Sequence, residues 1–580
     1  MNLQLQKGSR SRILAAVILG IGAIFVIRLF YLQVIRHDYY VGLATEEQQS
    51  RFVIPASRGQ IYAKSGDTPV QLVMNEKVYT VFADPVTISD KAKIVETMRR
   101  IAGGNTRPEF DKLLDKTDTR YQIIATKLSR LQADKIKAEG LRGIGFQELS
   151  QRVYPENALA GQILGFVNTT GEGSYGIEGY LNTDLKGKDG LLQAVTDVSN
   201  VPLTIGNNNI RTPKQDGKNV VLTVDRNIQS KVEAALAAGI DRTGATKGSA
   251  LVMDPHTGKI LAMANLPTYS PGAYNKVENV ADFNNNAISD PYEPGSSLKT
   301  YTLATGIDKG VVKTSDTYNN TDSIKIGDDY VVGNATKGQT GIISFQRALT
   351  WSLNTGFVTI AQRLGDGNSV TKGARDSMYE YFHDRLRLGQ LTGVELANEA
   401  PGTVFSPEEV QGNAVRYATM SFGQGLDTTM LQVASGFNAL VNGGTYYKPT
   451  IIDGYMTDDG FVQNPASAPL QTGVVSKSTS DQIVQATHDA RASSFGYTDK
   501  PGYYIGGKTG TSQVGVAGGY SNTETIGSYL GYGGGNEAEY VIMIRLSGDN
   551  KELQGARDAL PVFTDISNWM LDYLKVHPKG

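Results

Sequence analysis

The first strong pattern in the chain is an apolar run. From Ile13 to Ile27 no charged or strongly polar residue occurs; Arg28 interrupts the run and Leu29 to Ile35 continue it. As a helix, residues 13–35 would span roughly 35 Å, enough to cross a bilayer. Lys7, Arg10 and Arg12 precede the run, which predicts a cytoplasmic N-terminal tail (1–12) and an exported remainder. Arg28 would sit near the far interface, where its long stem can carry the charge to water. The alternative, a cleaved signal peptide, fits poorly because Arg28-Leu29-Phe30-Tyr31-Leu32 is bulky and offers no small-residue cleavage site. The pattern therefore predicts a single-pass membrane anchor.

After the anchor, short alternating stretches predict strands at 52–55, 58–62 and 70–73. Residues 87–140 read as helical, with apolar residues at three- and four-residue spacing (Ile94, Met98, Ile101; Leu128, Leu131, Ile136) and a break at Gly103-Gly104. From Tyr154 the chain is rich in glycine without a phosphate loop, so turns are expected. Asn219 to Val224 predict a strand, Asp225 a cap for a helix over 226–238, and 239–248 a boundary loop. Residues 36–240 thus read as a mixed α+β pedestal, without a catalytic constellation.

A second domain is expected over 241–580. Ser249–Met253 and Lys259–Ala264 read as strands joined by an Asp254-Pro255-His256-Thr257-Gly258 turn. Helical patterns follow, and strands return at 503–505, 509–513, 525–531 and 540–546 before a closing helix, 560–574. This predicts an α/β/α domain: a five-stranded, mainly antiparallel sheet built from both ends of the segment, with a helical insertion between.

Composition narrows the chemistry. At 580 residues the chain is too long for one core. A net charge of −2 gives no reason to expect nucleic acid. The absence of cysteine excludes disulfides, thiolate metal sites and a cysteine nucleophile. The five histidines are scattered, so neither a metal nor another cofactor is expected.

Three short signals carry candidate chemistry. Glu293-Pro294-Gly295-Ser296-Ser297-Leu298-Lys299 places a hydroxyl and an amine three residues apart at the start of an apolar-periodic run, where i and i+3 share a helix face. A lysine held close and partly dehydrated can take the proton that keeps serine a poor nucleophile. The plain reading is an ordinary helix surface, and the same spacing recurs at Ser369 and Lys372. Ser352-Leu353-Asn354 lies between two helical patterns, where polar residues often only cap. Lys508-Thr509-Gly510-Thr511 follows two glycines inside a strand pattern; Lys508 could equally guard a sheet edge.

Together, in this order, Ser296-x-x-Lys299, Ser352-x-Asn354 and Lys508-Thr509-Gly510 resemble the penicillin-recognising serine acyltransferases. Arg58-Gly59-Gln60-Ile61, Tyr154-Pro155, Gly176-Ile177-Glu178, Asp254-Pro255-x-Thr257-Gly258 and Ser421-Phe422-Gly423-Gln424-Gly425 extend the resemblance to the class B penicillin-binding proteins over nearly the whole chain. Tyr62-Ala63-Lys64-Ser65-Gly66 departs from the family's usual Asp-Arg-Asn-Gly, a pedestal feature.

The resemblance implies a D,D-transpeptidase that cross-links peptidoglycan stem peptides and is acylated by β-lactams. It implies Ser296 as nucleophile, Lys299 as general base and Ser352 as proton relay. Asn354 would hold the substrate amide and Lys299; Lys508, Thr509 and Thr511 would bind the terminal carboxylate; and the N–H groups of Ser296 and Thr511 would form an oxyanion hole. Gly506, Gly507 and Gly510 would leave room for a peptide laid along the strand. A membrane glycosyltransferase of the shape, elongation, division and sporulation family is the partner implied. The competing readings are a β-lactamase of the same fold and a catalytically silent cell-wall scaffold.

Overall fold

The computed structural model describes residues 7–40, 49–195, 210–327, 330–516 and 519–579. The chain forms two compact units, Met1–Arg58 with Lys186–Gly217, and Gly59–Leu185 with Lys218–Gly580.

In the first unit, the helix Lys7–Phe30 runs on through a wider π turn, Tyr31–Ile35. Residues Arg10–Ile35 are long and apolar enough to cross a membrane. A three-stranded sheet joins Gln49–Ile54, Gly190–Val195 and Ile210–Thr212.

The second unit holds two large sheets. One has seven strands, including Ile61–Ser65, Thr68–Ala83, Gln122–Leu128, Ile144–Val153 and Asn219–Asp225. Residues 122–128, expected to be helical, are a strand paired with Thr68–Ala83. A short apolar stretch fits either period, and here the long neighbouring strand decides. The same sheet takes in Ile452–Thr457 and Gly460–Gln463, from a stretch expected to lack strands. No local pattern announces these two; Ile452–Thr457 pairs with Asn219–Asp225, and Gly460–Gln463 then pairs with Ile452–Thr457 at the sheet's edge.

The other sheet has five strands, all antiparallel, in the order Ile260–Leu266, Lys247–Met253, Ala538–Ser547, Gly519–Gly534, Tyr504–Val516. Both faces are covered, so Lys247–Met253 and Ala538–Ser547 are largely apolar on both sides. Ala250, Val252, Ile542 and Ile544 face a core with Val232, Leu236, Val562 and Phe563 from the helices Arg226–Thr243 and Leu560–Tyr573. Leu251, Met253, Val541 and Met543 face the opposite core, with Phe437 and Ile483 from Met430–Val441 and Lys477–Phe495.

The first of these helices starts where expected: the Asp225 carboxylate accepts from the N–H groups of Asn227 (2.8 Å) and Ile228 (3.0 Å). It does not end at Ala238, however, but runs to Thr243. Gly239 lies inside it because a Cβ there would come within 2.4 Å of Val562 Cγ2. The glycine marks a close helix–helix approach rather than a boundary loop.

Candidate active site

Ser296 sits in a tight 3₁₀ turn, Gly295–Leu298, that continues directly into the helix Lys299–Asp308. The turn is wedged between the edge strand Tyr504–Val516 and the loop at Gly423. Gly295 has φ +57°, and a Cβ on it would lie 2.7 Å from Thr511 O; one on Gly423, at φ +93°, would lie 1.9 Å from Gly295 O. Only glycine tolerates both the left-handed backbone and these contacts. The Ser297 hydroxyl is buried and donates to Pro294 O (2.8 Å), whereas Ser296 is half-buried and lines a cleft of about 470 Å³.

One helical turn on, Lys299 is fully buried. Its Nζ lies 2.7 Å from Ser352 O, 2.8 Å from Asn354 Oδ1 and 3.1 Å from Ser352 Oγ, and 5.5 Å from the centre of the Phe357 ring. Burial, and secondarily the charge of Lys508, holds this amine well below the ordinary lysine range. A neutral amine has two N–H donors and one lone pair. The carbonyl and carboxamide oxygens can only accept, so they take both donors, and the lone pair remains for a hydroxyl proton.

Ser352 lies between the helices Phe345–Thr350 and Asn354–Arg363, in left-handed backbone at φ +57°. A serine held there is strained by about 1 kcal/mol or more, the kind of outlier that gathers at functional sites. Its hydroxyl accepts from Lys508 Nζ at 2.9 Å while facing Lys299, so two amines share one oxygen. Asn354 Nδ2 donates to Gly333 O (2.9 Å), which fixes the carboxamide. Behind it Thr355 N donates to Asn334 Oδ1 (3.0 Å), and Asn334 Nδ2 to Asn320 Oδ1 (3.0 Å). These buried asparagines went unnoticed in the sequence, where nothing distinguishes them from turn residues.

Lys508 is on the edge strand but buried, not a solvated guard. Besides Ser352 it reaches Thr509 Oγ1 (3.0 Å) and Thr509 O (3.1 Å). Burial pushes its amine down to about 7. Thr509 and Thr511 line the cleft with Ser296, Ser352 and Asn354. The Thr511 oxygen accepts from Gly555 N (3.1 Å), which leaves its own proton available to an anion.

Gly506, Gly507 and Gly510 have a different cause from the one expected. A Cβ on them would come within 2.5 Å of the Tyr532 ring, 2.6 Å of Leu530 O and 2.2 Å of Ser528 Oγ, respectively. The atoms they make room for are the protein's own. The second Ser-x-x-Lys is an ordinary helix start: Ser369 bonds Asp366, and Lys372 pairs with Asp376 and Glu408 at the surface.

Residues 248–568 match the family model described as the penicillin binding protein transpeptidase domain, and residues 53–222 that of the penicillin-binding protein dimerisation domain. Stage V sporulation protein D of Bacillus subtilis (strain 168) is 28% identical, over 98% of this chain and 87% of that one. The peptidoglycan D,D-transpeptidase FtsI homolog of Mesostigma viride is also 28% identical, over 95% and 93%. Penicillin Binding Protein 2X from Streptococcus thermophilus shares the fold, with a TM-score of 0.73 at 21% identity over 91% of this chain and 80% of that one.

Proposed function

Because the chain belongs to the penicillin-binding proteins, with their transpeptidase domain over residues 248–568 and their dimerisation domain over 53–222, we propose that it is a class B D,D-transpeptidase that cross-links peptidoglycan through a serine acyl-enzyme. The observation that carries this reading is the Ser352 hydroxyl held between two buried amines, at the edge of the cleft that Ser296 lines.

The Lys299 lone pair takes the Ser296 proton as Oγ attacks the penultimate carbonyl of a stem peptide ending in D-Ala-D-Ala. The C–N bond breaks, and the proton passes through Ser352 to the leaving D-alanine nitrogen. Asn354 orients the substrate amide. Lys508, Thr509 and Thr511 hold the terminal carboxylate, a cation and two hydroxyls matched to an anion. The N–H groups of Ser296 and Thr511 receive the developing oxyanion. An amine from a second stem peptide then attacks the ester and releases Ser296; water in its place gives carboxypeptidase activity. β-Lactams enter the same path as acyl donors and stop at the ester.

The apolar helix supports a single-pass anchor with its N-terminus in the cytoplasm and the catalytic domain, residues 241–580, outside the membrane. Residues 36–240 serve as pedestal, and a membrane glycosyltransferase is the partner proposed for anchor and pedestal. Given a soluble stem-peptide analogue and an amine acceptor, the protein should release D-alanine and form the new amide. Rapid turnover of nitrocefin would favour a β-lactamase, and no adduct with any β-lactam a silent scaffold.

The two amines also set a pH dependence. Lys508 serves as a cation and loses its charge as pH rises through about 7 in the free enzyme. Lys299 must be neutral and gains its proton only well below the ordinary lysine value. The second-order constant for acylation by a carboxylate-bearing penicillin should therefore fall on both sides, with the alkaline limb beginning near pH 7. Lys508→Gln should abolish that limb; a wild-type profile that still climbs at pH 9 would contradict the assignment.

A further inference from the structure

We propose that Glu293 and Tyr520 form a latch that braces the edge strand against the nucleophile turn, and so act as positioning residues for acylation. The inference rests on the transpeptidase reading above.

Glu293 stands three residues before Ser296 and is not exposed. Its Oε1 accepts from Gly425 N (2.6 Å) and from the hydroxyl of Tyr520 (2.9 Å). Tyr520 is the second residue of the returning strand in the long hairpin Tyr504–Val516 and Gly519–Gly534, facing Gly515. One carboxyl thus ties three pieces of the site: the turn carrying Ser296, the Gly423–Gly425 loop, and the far end of the hairpin whose near end carries Lys508 and Thr511.

The surroundings are built to the same purpose. Gly295 N donates to Gly423 O (3.0 Å), and Tyr292 and Thr428 exchange backbone hydrogen bonds of 3.0 Å each. A Cβ on Gly510 would lie 2.9 Å from Pro294 O, so the turn and the strand already touch at the backbone. Tyr520 pins the same strand pair further out. The spacing between the Ser296 and Thr511 N–H groups is set by how these two segments meet, and the latch holds that meeting from the turn end of the hairpin.

The second oxygen, Oε2, is buried and has no hydrogen-bond partner among the described residues. Burial, aided by nearby Asp427, raises the proton affinity of this carboxyl. As a neutral acid, Glu293 would carry its proton on Oε2 and offer Oε1 as the acceptor for both donors. Glutamine is isosteric with that form and keeps the acceptor.

The test uses the full-length protein in detergent with benzylpenicillin, separating the acylation rate at saturation from the half-saturating concentration and recording the melting temperature. Tyr520→Phe removes one hydrogen bond at a residue that is 41% exposed and should slow acylation about three- to tenfold, with half-saturation and melting temperature unchanged. Glu293→Ala should slow it by about tenfold or more, and Glu293→Gln should stay within about twofold of wild type. If the alanine variant fails to fold, Tyr520→Phe decides alone. Wild-type rates in both Tyr520→Phe and Glu293→Ala would overturn the latch, as would a glutamine variant as slow as alanine with a matching loss of melting temperature. A wild type that forms no adduct would overturn the transpeptidase reading and the latch together.

Discussion

Replacing Lys299 by methionine should slow acylation by benzylpenicillin about a thousandfold, the middle of the range that positioned general bases supply. Methionine has nearly the same length and fills the same buried space, so what disappears is the lone pair facing the Ser352 hydroxyl. Lys508 cannot take over: its amine is spent on Ser352 and Thr509. The substitution leaves Ser352 O and Asn354 Oδ1 without their donor, at about 1–3 kcal/mol each. It also relieves the cost of keeping an amine in a fully buried site, which acts in the opposite direction. Stopped-flow acylation, with a melting curve to confirm folding, checks this. A folded variant retaining a tenth of the wild-type rate would remove Lys299 from the base role.

The grouping of the candidate site residues was more legible than the architecture. Ser296 and Lys299 stand on adjacent turns, so their spacing is local and readable, although Ser369 and Lys372 have the same spacing and no site. What separates the two pairs is what lies against them: Ser352, Asn354 and Lys508 in one case, Asp366, Asp376 and Glu408 in the other. The five-stranded sheet was visible because Lys247–Met253, Ile260–Leu266 and Ala538–Ser547 are mostly apolar runs and turn residues such as those at 254–258 and 533–536 separate its strands.

The strand Gln122–Leu128 was not visible, because its shape is imposed by Thr68–Ala83 across the sheet. The strand Ile452–Thr457 takes its form from a partner more than two hundred residues away, and Gly460–Gln463 adds to it as a hairpin. The contact of Glu293 with Tyr520 was hidden for the same reason. Glycines misled in a consistent way: Gly239 and Gly506 looked like a loop and a ligand clearance, yet each gives way to the protein's own side chain, Val562 and Tyr532.

Ser296→Ala should abolish covalent labelling altogether. In the proposed mechanism every other group named here tunes, relays or holds, and only Oγ of Ser296 becomes bonded to the acyl carbon. Lys299 and Lys508 cannot stand in, since both amines lie buried with their hydrogen bonds committed to Ser352, Asn354 and Thr509. The neighbouring Ser297 points away, its hydroxyl buried against Pro294 O. The loss should therefore be complete, while the fold, which hardly depends on a half-buried hydroxyl, stays intact. Intact mass spectrometry after incubation with benzylpenicillin reads this directly: wild type should gain the mass of one penicilloyl group and Ser296→Ala none, whereas an alanine variant that still gains that mass would place the nucleophile elsewhere and contradict the account.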